Sequence, residues 1–328
     1  MKILIAGFGS IGRRHFQNLL ALGEQDILFY RSGRSTLAAD ELKGYVVETD
    51  LQAALSHRPQ AVIVANPTAL HLEVAIPAAE AGCSLFLEKP VSHSLERLPA
   101  LEAAINRSGS KVLVGYQFRF HPGLRQVKRL VEEEAIGRLV SAHAHWGEYL
   151  PGWHPWEDFR QGYSARRDLG GGVVLTLCHP LDYLRWLFGE VAALWAFTGR
   201  LSDFGLSVED TAEIGLRFAS GGLGSLHLDY CQRPPTHYLE VIGTRGSLRW
   251  DNADGAVNLY RLGQEGWSHF PALLGFERNT LFLDQMRHFL TVARGDKLPL
   301  CTLEDGIQGL RLALAVHRSA SQGKRVDL

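Results

Sequence analysis

Three short stretches of this 328-residue chain combine residue types that can hold a phosphate or move a proton. The first is Gly7-Phe8-Gly9-Ser10-Ile11-Gly12, three glycines at the spacing GxGxxG. The second is Glu88-Lys89-Pro90. A carboxylate beside an amine can keep it charged, or tune it, so that the amine holds a hydroxyl while bonds change at the neighbouring carbon. The same pair would serve equally as a surface ion pair before a proline-set turn. The third is Thr176, His179 and Asp182, spaced i, i+3, i+6 within an apolar-periodic segment, Val173–Phe188, that reads as one helix. One helix would put all three on one face. His179 has the pKa range for passing a proton to or from a hydroxyl, with Asp182 to orient it. The bland alternative, a satisfied core or cap histidine, is the commoner fate of such a residue.

The elements that must position these groups follow from the apolar pattern. Strands are expected at Lys2–Ala6, Asp26–Tyr30, Ala61–Ala65, Ser84–Leu87 and Lys111–Gly115. Helices are expected at Ile11–Leu22, Leu51–Leu55, His71–Ala81 and Leu95–Ser108. Strands that are apolar along their whole length and flanked by helices predict a doubly wound parallel sheet, with its ligand crevice at the strands' carboxyl ends. In that frame the glycines join a strand to a helix, which turns a weak motif into a dinucleotide-binding turn. Its glycines make the tight turn, the approach to the pyrophosphate and the helix–strand contact. The pyrophosphate would lie on the helix-start amides. At the end of the second strand, where an NAD site usually carries an acid, the chain has Tyr30-Arg31-Ser32-Gly33-Arg34. Arg31 and Arg34 can pair with a 2′-phosphate and Ser32 can donate to it, so NADP(H) is the expected cofactor, with NAD(H) as the alternative.

From about residue 121 the texture changes. Long strands are expected at Leu139–Tyr149, Val191–Gly199, Thr211–Phe218, Leu223–Tyr230, Tyr238–Gly243 and Ser247–Asp251. Gly221-Gly222 and Thr244-Arg245-Gly246 supply tight turns. Helices at Val173–Phe188, Glu277–Ala293 and Leu303–Gln322 complete an α+β domain with an open, mostly antiparallel sheet. The predicted division is therefore an α/β Rossmann domain, residues 1–120, followed by a substrate-binding and oligomerisation domain, residues 121–328.

The formal net charge of −1 gives no footprint for nucleic acid or an anionic membrane. No window approaches the roughly 18 apolar residues of a membrane helix. The apolar run at Ile3–Ala6 is explained by a buried strand rather than a signal segment. Four dispersed cysteines, with no CxxC pair, suit a reducing cytoplasm.

Together with the glycine turn, Asn66-Pro67-Thr68 followed by His71, and Glu88-Lys89-Pro90, resemble the Gfo/Idh/MocA oxidoreductase family. The likeness continues through Gly115-Tyr116-Gln117-Phe118-Arg119-Phe120 and Gly170-Gly171-Gly172 to His179 and Asp182, and so covers most of the chain. It implies NAD(P)-dependent hydride transfer on a sugar, polyol or related alcohol, with Lys89 as the catalytic lysine. It also implies an oligomer, dimeric or tetrameric, packed through the second-domain sheet. Cofactor contacts are expected from Gly7, Gly9, Ser10, Ile11, Gly12, Arg31, Ser32, Arg34, Asn66, Pro67, Thr68, His71, Glu88, Lys89 and Gln117. On structural grounds alone Thr68 would cap the helix after it. Members often carry an Asp before the histidine, where this chain has Thr176, which leaves the proton relay open.

The loop Trp153-His154-Pro155-Trp156-Glu157-Asp158-Phe159-Arg160 can stack a sugar ring and bind its hydroxyls, or else pack its rings against protein. It resembles a subgroup associated with bacterial surface-sugar biosynthesis, which points to a sugar nucleotide or acidic sugar. Arg119 and Arg166 are candidate contacts for an anionic group. Three other classes use the same features: a non-catalytic NADP-binding regulator, an epimerase or lyase that recycles a tightly bound cofactor, and a metal enzyme built on His143, His145 and Cys178-His179. No metal is expected.

Overall fold

The computed structural model describes residues 1–32 and 40–328 of the chain. Its first compact unit comprises residues 1–117, 168–170 and 277–310; its second comprises 118–167, 171–276 and 311–328. The break after Gln117 lies three residues before the boundary expected from sequence, and residues 277–310, expected in the second domain, are counted with the first.

The first unit alternates strands and helices: β1 (Ile3–Ala6), α1 (Ser10–Ala21), β2 (Ile27–Tyr30), β3 (Val46–Glu48), α2 (Leu51–Ser56), β4 (Ala61–Val64), α3 (His71–Glu80), β5 (Ser84–Leu87), α4 (Leu98–Ser108) and β6 (Val112–Val114). The six strands are parallel in the order β3-β2-β1-β4-β5-β6. β1, β4, β5 and β6 are buried along their whole length, as strands covered on both faces must be. The order reverses between β1 and β4, so the ligand crevice of this sheet lies at their carboxyl ends, beyond Ala6 and Val64. β3 has exposed valines, Val46 and Val47, and no full apolar run, which is why the sequence did not reveal it.

In the second unit, α5 (Pro122–Glu132) is followed by β7 (Leu139–Gly147), α6 (Val173–Thr176), α7 (His179–Phe188), β8 (Val191–Gly199), β9 (Thr211–Phe218), β10 (Leu223–Asp229), β11 (Thr236–Gly243), β12 (Gly246–Asp251), β13 (Val257–Arg261) and β14 (Ser268–Phe270). After α8 (Arg278–Arg294) of the first unit, α9 (Leu303–Gln322) leads to β15 (Val326–Asp327). The nine strands run β14-β13-β12-β11-β7-β10-β9-β8-β15, antiparallel at every step except β7–β10. β9 alternates buried and exposed residues from end to end, so the sheet has a covered face and an open one. Trp146, His237 and Trp250 point into the covered face, where α5 and α7 pack.

Two expectations about helices change here. Val173–Phe188 is two helices, broken at Leu177 and Cys178. Pro180 has no N–H to give the carbonyl of Thr176, and its ring would crowd that carbonyl, so the chain restarts at His179 with proline in the first turn. α5 was not expected, because Pro122-Gly123 reads as a breaker. Pro122 instead opens the helix, and Gly123 is there because a Cβ would lie 2.5 Å from the Trp250 indole nitrogen.

Candidate active site

The glycine turn has the geometry its spacing predicts. Gly7 has φ +99°, and a Cβ there would sit 2.7 Å from the amide of Asn66. A Cβ on Gly12 would lie 2.1 Å from the Gly7 carbonyl, so this position closes helix α1 against the turn. Gly9 is the opposite case: a Cβ would meet nothing within 4 Å. It is the N-cap of α1, without a side-chain cap or an acid in the first turn, so backbone amides face an open approach. Ser10 is exposed at the helix start and Ile11 half-buried beside it. This turn suits a pyrophosphate: an open Cβ position, uncapped amides, and Gly7 holding the switch-point strands together. Asn66 adds a buried Oδ1 with no partner among the described residues, while its Nδ2 donates to Leu70 O at 2.9 Å.

Arg31, at the end of β2, donates its backbone amide to Glu48 O at 3.0 Å, and its guanidinium lies 5.6 Å from the Phe8 ring centre. Ser32 follows, exposed. Arg34, also expected at the 2′-phosphate, lies outside the described residues.

The loops after β4 and β5 meet at a histidine. His71 Nε2 is 2.9 Å from Asn66 O and Nδ1 is 2.9 Å from Pro90 O. Burial lowers its pKa to about 4. His71 thus sits between two loops, and the neutral ring donates its one N–H to one of the two carbonyls. Thr68 is buried but does not cap α3. A short 3-10 turn, Thr68–Leu70 behind Pro67, intervenes, and Leu70 takes the cap position without a side-chain bond. Gly170, of the first unit, packs against Thr68: a Cβ on it would come within 3.0 Å.

Glu88 is buried against α1. Its Oε1 lies 2.7 Å from Nε2 of fully buried His15 on α1, and its Oε2 accepts from the Lys89 amide at 3.2 Å. Burial alone would raise its pKa, but the His15 bond and the nearby Lys89 charge outweigh that and hold it below the usual carboxylate range. Gly115 leaves the room this needs, since a Cβ there would lie 3.0 Å from Glu88 Oε2. Lys89 itself is half-buried, in the field of Glu88 and His71. Gln117 is buried just beyond β6. Sequence reasoning missed His15, although its place three residues after Gly12, on the helix face that packs on the sheet, was a readable signal.

In the second unit the expected relay is rearranged. Arg119 donates from Nε to Asp182 Oδ2 at 3.0 Å and from Nη2 to Asp182 Oδ1 at 2.7 Å, with both side chains buried. This bidentate pair ties Asp182 to Arg119, a partner that sequence reasoning did not give it. Thr176 ends α6 and shares no helix with His179, and the Tyr230 phenol donates to Ser164 O at 3.2 Å, its pKa pushed far up by burial. His179 opens α7, buried, its ring edge-on to Phe118 at 5.1 Å and tilted over Trp146 at 5.4 Å. Two further groups line this aromatic setting and were not anticipated: Tyr183 Oη lies 3.2 Å from His237 Nε2, and the His237 ring stacks on Trp146 at 4.6 Å. Tyr183 was readable as i+4 from His179; His237 needs the strand register.

The two tryptophans of the 153–160 loop behave differently. Trp153 packs edge-on against Tyr230 at 5.8 Å, and its buried Nε1 has no partner among the described residues. Trp156 is 63% exposed, its ring tilted beside His154. Arg166 is half-buried, and its carbonyl accepts from Gly171 N at 2.9 Å.

Residues 1–116 match the family model "Oxidoreductase family, NAD-binding Rossmann fold" of Gfo/Idh/MocA proteins, and residues 128–328 match its "Oxidoreductase family, C-terminal alpha/beta domain". The chain belongs to the Gfo/Idh/MocA oxidoreductase family. Among its relatives is a myo-inositol dehydrogenase of Streptomyces leeuwenhoekii, 28% identical, with 98% of each chain covered. The fold matches a levoglucosan dehydrogenase solved with NADH and levoglucosan, at TM-score 0.87 and 22% identity over 100% of this chain and 99% of that one. It also matches the WlbA dehydrogenase of Bordetella pertussis solved with NADH and UDP-GlcNAcA, at TM-score 0.86 and 23% identity over 100% and 98%. This Gfo/Idh/MocA protein is thus an oxidoreductase with an NAD-binding Rossmann domain. No helix among the described residues is long and apolar enough to cross a membrane.

Proposed function

We infer that this oxidoreductase interconverts a hydroxyl and a carbonyl on a sugar, polyol or sugar nucleotide, with Lys89 and His179 as its proton-handling groups. The observation that carries the reading is the shared address of two features. The open Gly9 cradle and the Glu88-Lys89 step both stand at the carboxyl ends of one Rossmann sheet, on either side of β4. A bound nicotinamide supplies or accepts the hydride. Lys89, kept charged by Glu88, holds the substrate oxygen and stabilises negative charge as it develops there. His179, in its apolar setting, exchanges the proton. Relatives named for myo-inositol, 1,5-anhydro-D-fructose and levoglucosan support a polyhydroxylated substrate. Trp156, exposed, is the ring available to stack on it, and Arg166 one of the expected cations for an anionic group.

Arg31 beside Phe8, with no acid at the end of β2, favours NADP(H) over NAD(H). The open face of the second sheet carries Trp195, Phe197, Tyr238 and Ile242 and is the surface for a homodimer or homotetramer. Four free cysteines suit a reducing cytoplasm. Fluorescence titration with NADPH and NADH, followed by an absorbance screen of sugars and sugar nucleotides, tests the reading. NADPH should bind more tightly and at least one polyol or sugar should be turned over. Tighter NADH binding contradicts the cofactor assignment, and a Lys89→Ala enzyme with full activity contradicts the mechanism.

A further inference from the structure

The open face of the second sheet holds a group of side chains that hydride transfer does not use. β7 and β10 run parallel with His145 opposite His227, while Glu213 of β9 lies opposite His227 and Tyr238 of β11 opposite His145. One row therefore crosses four strands as Glu213–His227–His145–Tyr238. The two imidazoles stack at 4.6 Å and His145 stacks on Tyr238 at 5.4 Å. Strand alternation puts this row on the face away from Trp146 and His179.

Asp229, at the end of β10, joins the row. Its Oδ1 accepts from the amides of Cys231 and Gln232, both at 2.6 Å, which leaves Oδ2 turned to His227 Nε2 at 3.1 Å. The far nitrogen of His227, Nδ1, is 2.6 Å from Glu213 Oε1. A carboxylate on one imidazole nitrogen fixes the tautomer and raises the basicity of the other, as in metal-bound histidines. One ligand atom from each of His145, His227 and Asp229 lies within 4.8 Å of the others. Nε2 of His145 is shut away from solvent with no hydrogen-bond partner among the described residues, although Gln232 is within reach of the ring. His227, Asp229, Cys231 and Gln232 also line a cavity of about 520 Å³, room for a water as a further ligand even where this face packs against a second subunit.

We propose that His145, His227 and Asp229 form a binding site for a divalent transition metal of the zinc class, with Glu213 orienting His227. Two imidazoles and one carboxylate are a donor set that suits such ions. Asp229 and Glu213 on either side of His227 raise its pKa, so the metal takes the place of its Nε2 proton. The side chains rotate to bring the three atoms to the roughly 2.0–2.2 Å that zinc requires. The sequence predicts no metal from His143, His145 and Cys178-His179, and of these only His145 belongs to the proposed site. His143 bonds Ser225 Oγ at 2.8 Å instead, and Cys178-His179 belongs to the covered face. Asp229 and His227 could not be joined to His145 before the β7–β10 register was known.

The test is a Zn²⁺ titration of the chelator-stripped full chain against a chromophoric chelator, with Co²⁺ as an optical probe of geometry. Wild type should hold one Zn²⁺ per chain, and its Co²⁺ form should show the intense visible bands of four-coordination. His145→Gln and His227→Gln should each abolish competitive binding. Glu213→Gln should weaken it by about ten- to a hundredfold, and His143→Ala should leave it unchanged. Wild-type binding no tighter than that of the two glutamine variants, or weak six-coordinate Co²⁺ bands, overturns the site. So does an effect of His143→Ala equal to that of His145→Gln. Cofactor titration of each variant separates loss of metal from loss of fold, and the wild-type Co²⁺ spectrum decides the matter even if a variant fails to fold.

Discussion

Each unit buries one carboxylate within three residues of its proposed proton-handling group, and the two have different partners. Glu88 adjoins Lys89 and is bonded to His15, a partner that can lose its charge. Asp182 follows His179 by three residues and is clamped by Arg119, a partner that cannot. Both carboxylates looked, in sequence, like members of the chemistry. Glu88 meets its neighbour through charge and through the Lys89 amide, whereas Asp182 is held by a bidentate arginine in the first turn of α7. Nearness in sequence to a catalytic group is therefore a poor guide to a carboxylate's role; its partner is a better one.

The comparison is broken most forcefully at Asp182. Asp182→Ala removes the buried carboxylate to which Nε and Nη2 of Arg119 donate and should cost about 3–5 kcal/mol, read as a lower denaturation midpoint. Loss no greater than for an exposed residue would show that the pair is not an anchor. Acid comes next, and it strikes both units. Burial lowers the pKa of His71, in the first, and His121, in the second, to about 4 from an ordinary 6.5. The unfolded chain therefore takes up protons that the folded chain refuses. Stability should be complete above about pH 6.5 and should fall toward pH 4, by about 3 kcal/mol per ring. Thermal melts across that range should be flatter for His71→Asn and His121→Asn; unchanged slopes would mean that neither ring is held neutral.

Glu88→Gln should have a smaller effect on stability, about 1–3 kcal/mol, but should shift the pH profile of kcat/KM because Lys89 loses its neighbouring charge. A profile identical to wild type would show that the Glu88 charge does not act on Lys89. Smallest of all, Trp156→Ala should change stability by no more than about 0.5 kcal/mol while raising KM for a sugar substrate. Trp153→Ala, which removes a packed ring, should do the reverse.

What the sequence disclosed was local. The glycine turn, the strands and helices around it and the NAD-binding function lie within short windows whose physics is contained in the window. Pro180, which splits the helix at Cys178, was also visible, but the apolar periodicity on both sides masked it. α5 was legible in Leu124, Val127 and Leu130 and was obscured by Pro122-Gly123. The Arg119–Asp182 pair spans 63 residues and the His143–Ser225 bond 82, and neither follows from any periodicity. Such contacts are fixed only when helices dock and strands take a register. The Arg119–Asp182 pairing was not expected from sequence for that reason.

The central claim is that Lys89 handles the substrate oxygen while the glycine turn holds the cofactor, and one paired measurement reaches it directly. Wild type and Lys89→Met are compared for NADPH affinity by fluorescence, and for turnover of the best substrate in a sugar and polyol screen. The account predicts equal cofactor affinity and a fall in kcat of about a hundredfold or more for Lys89→Met. Equal turnover by the two proteins would contradict it.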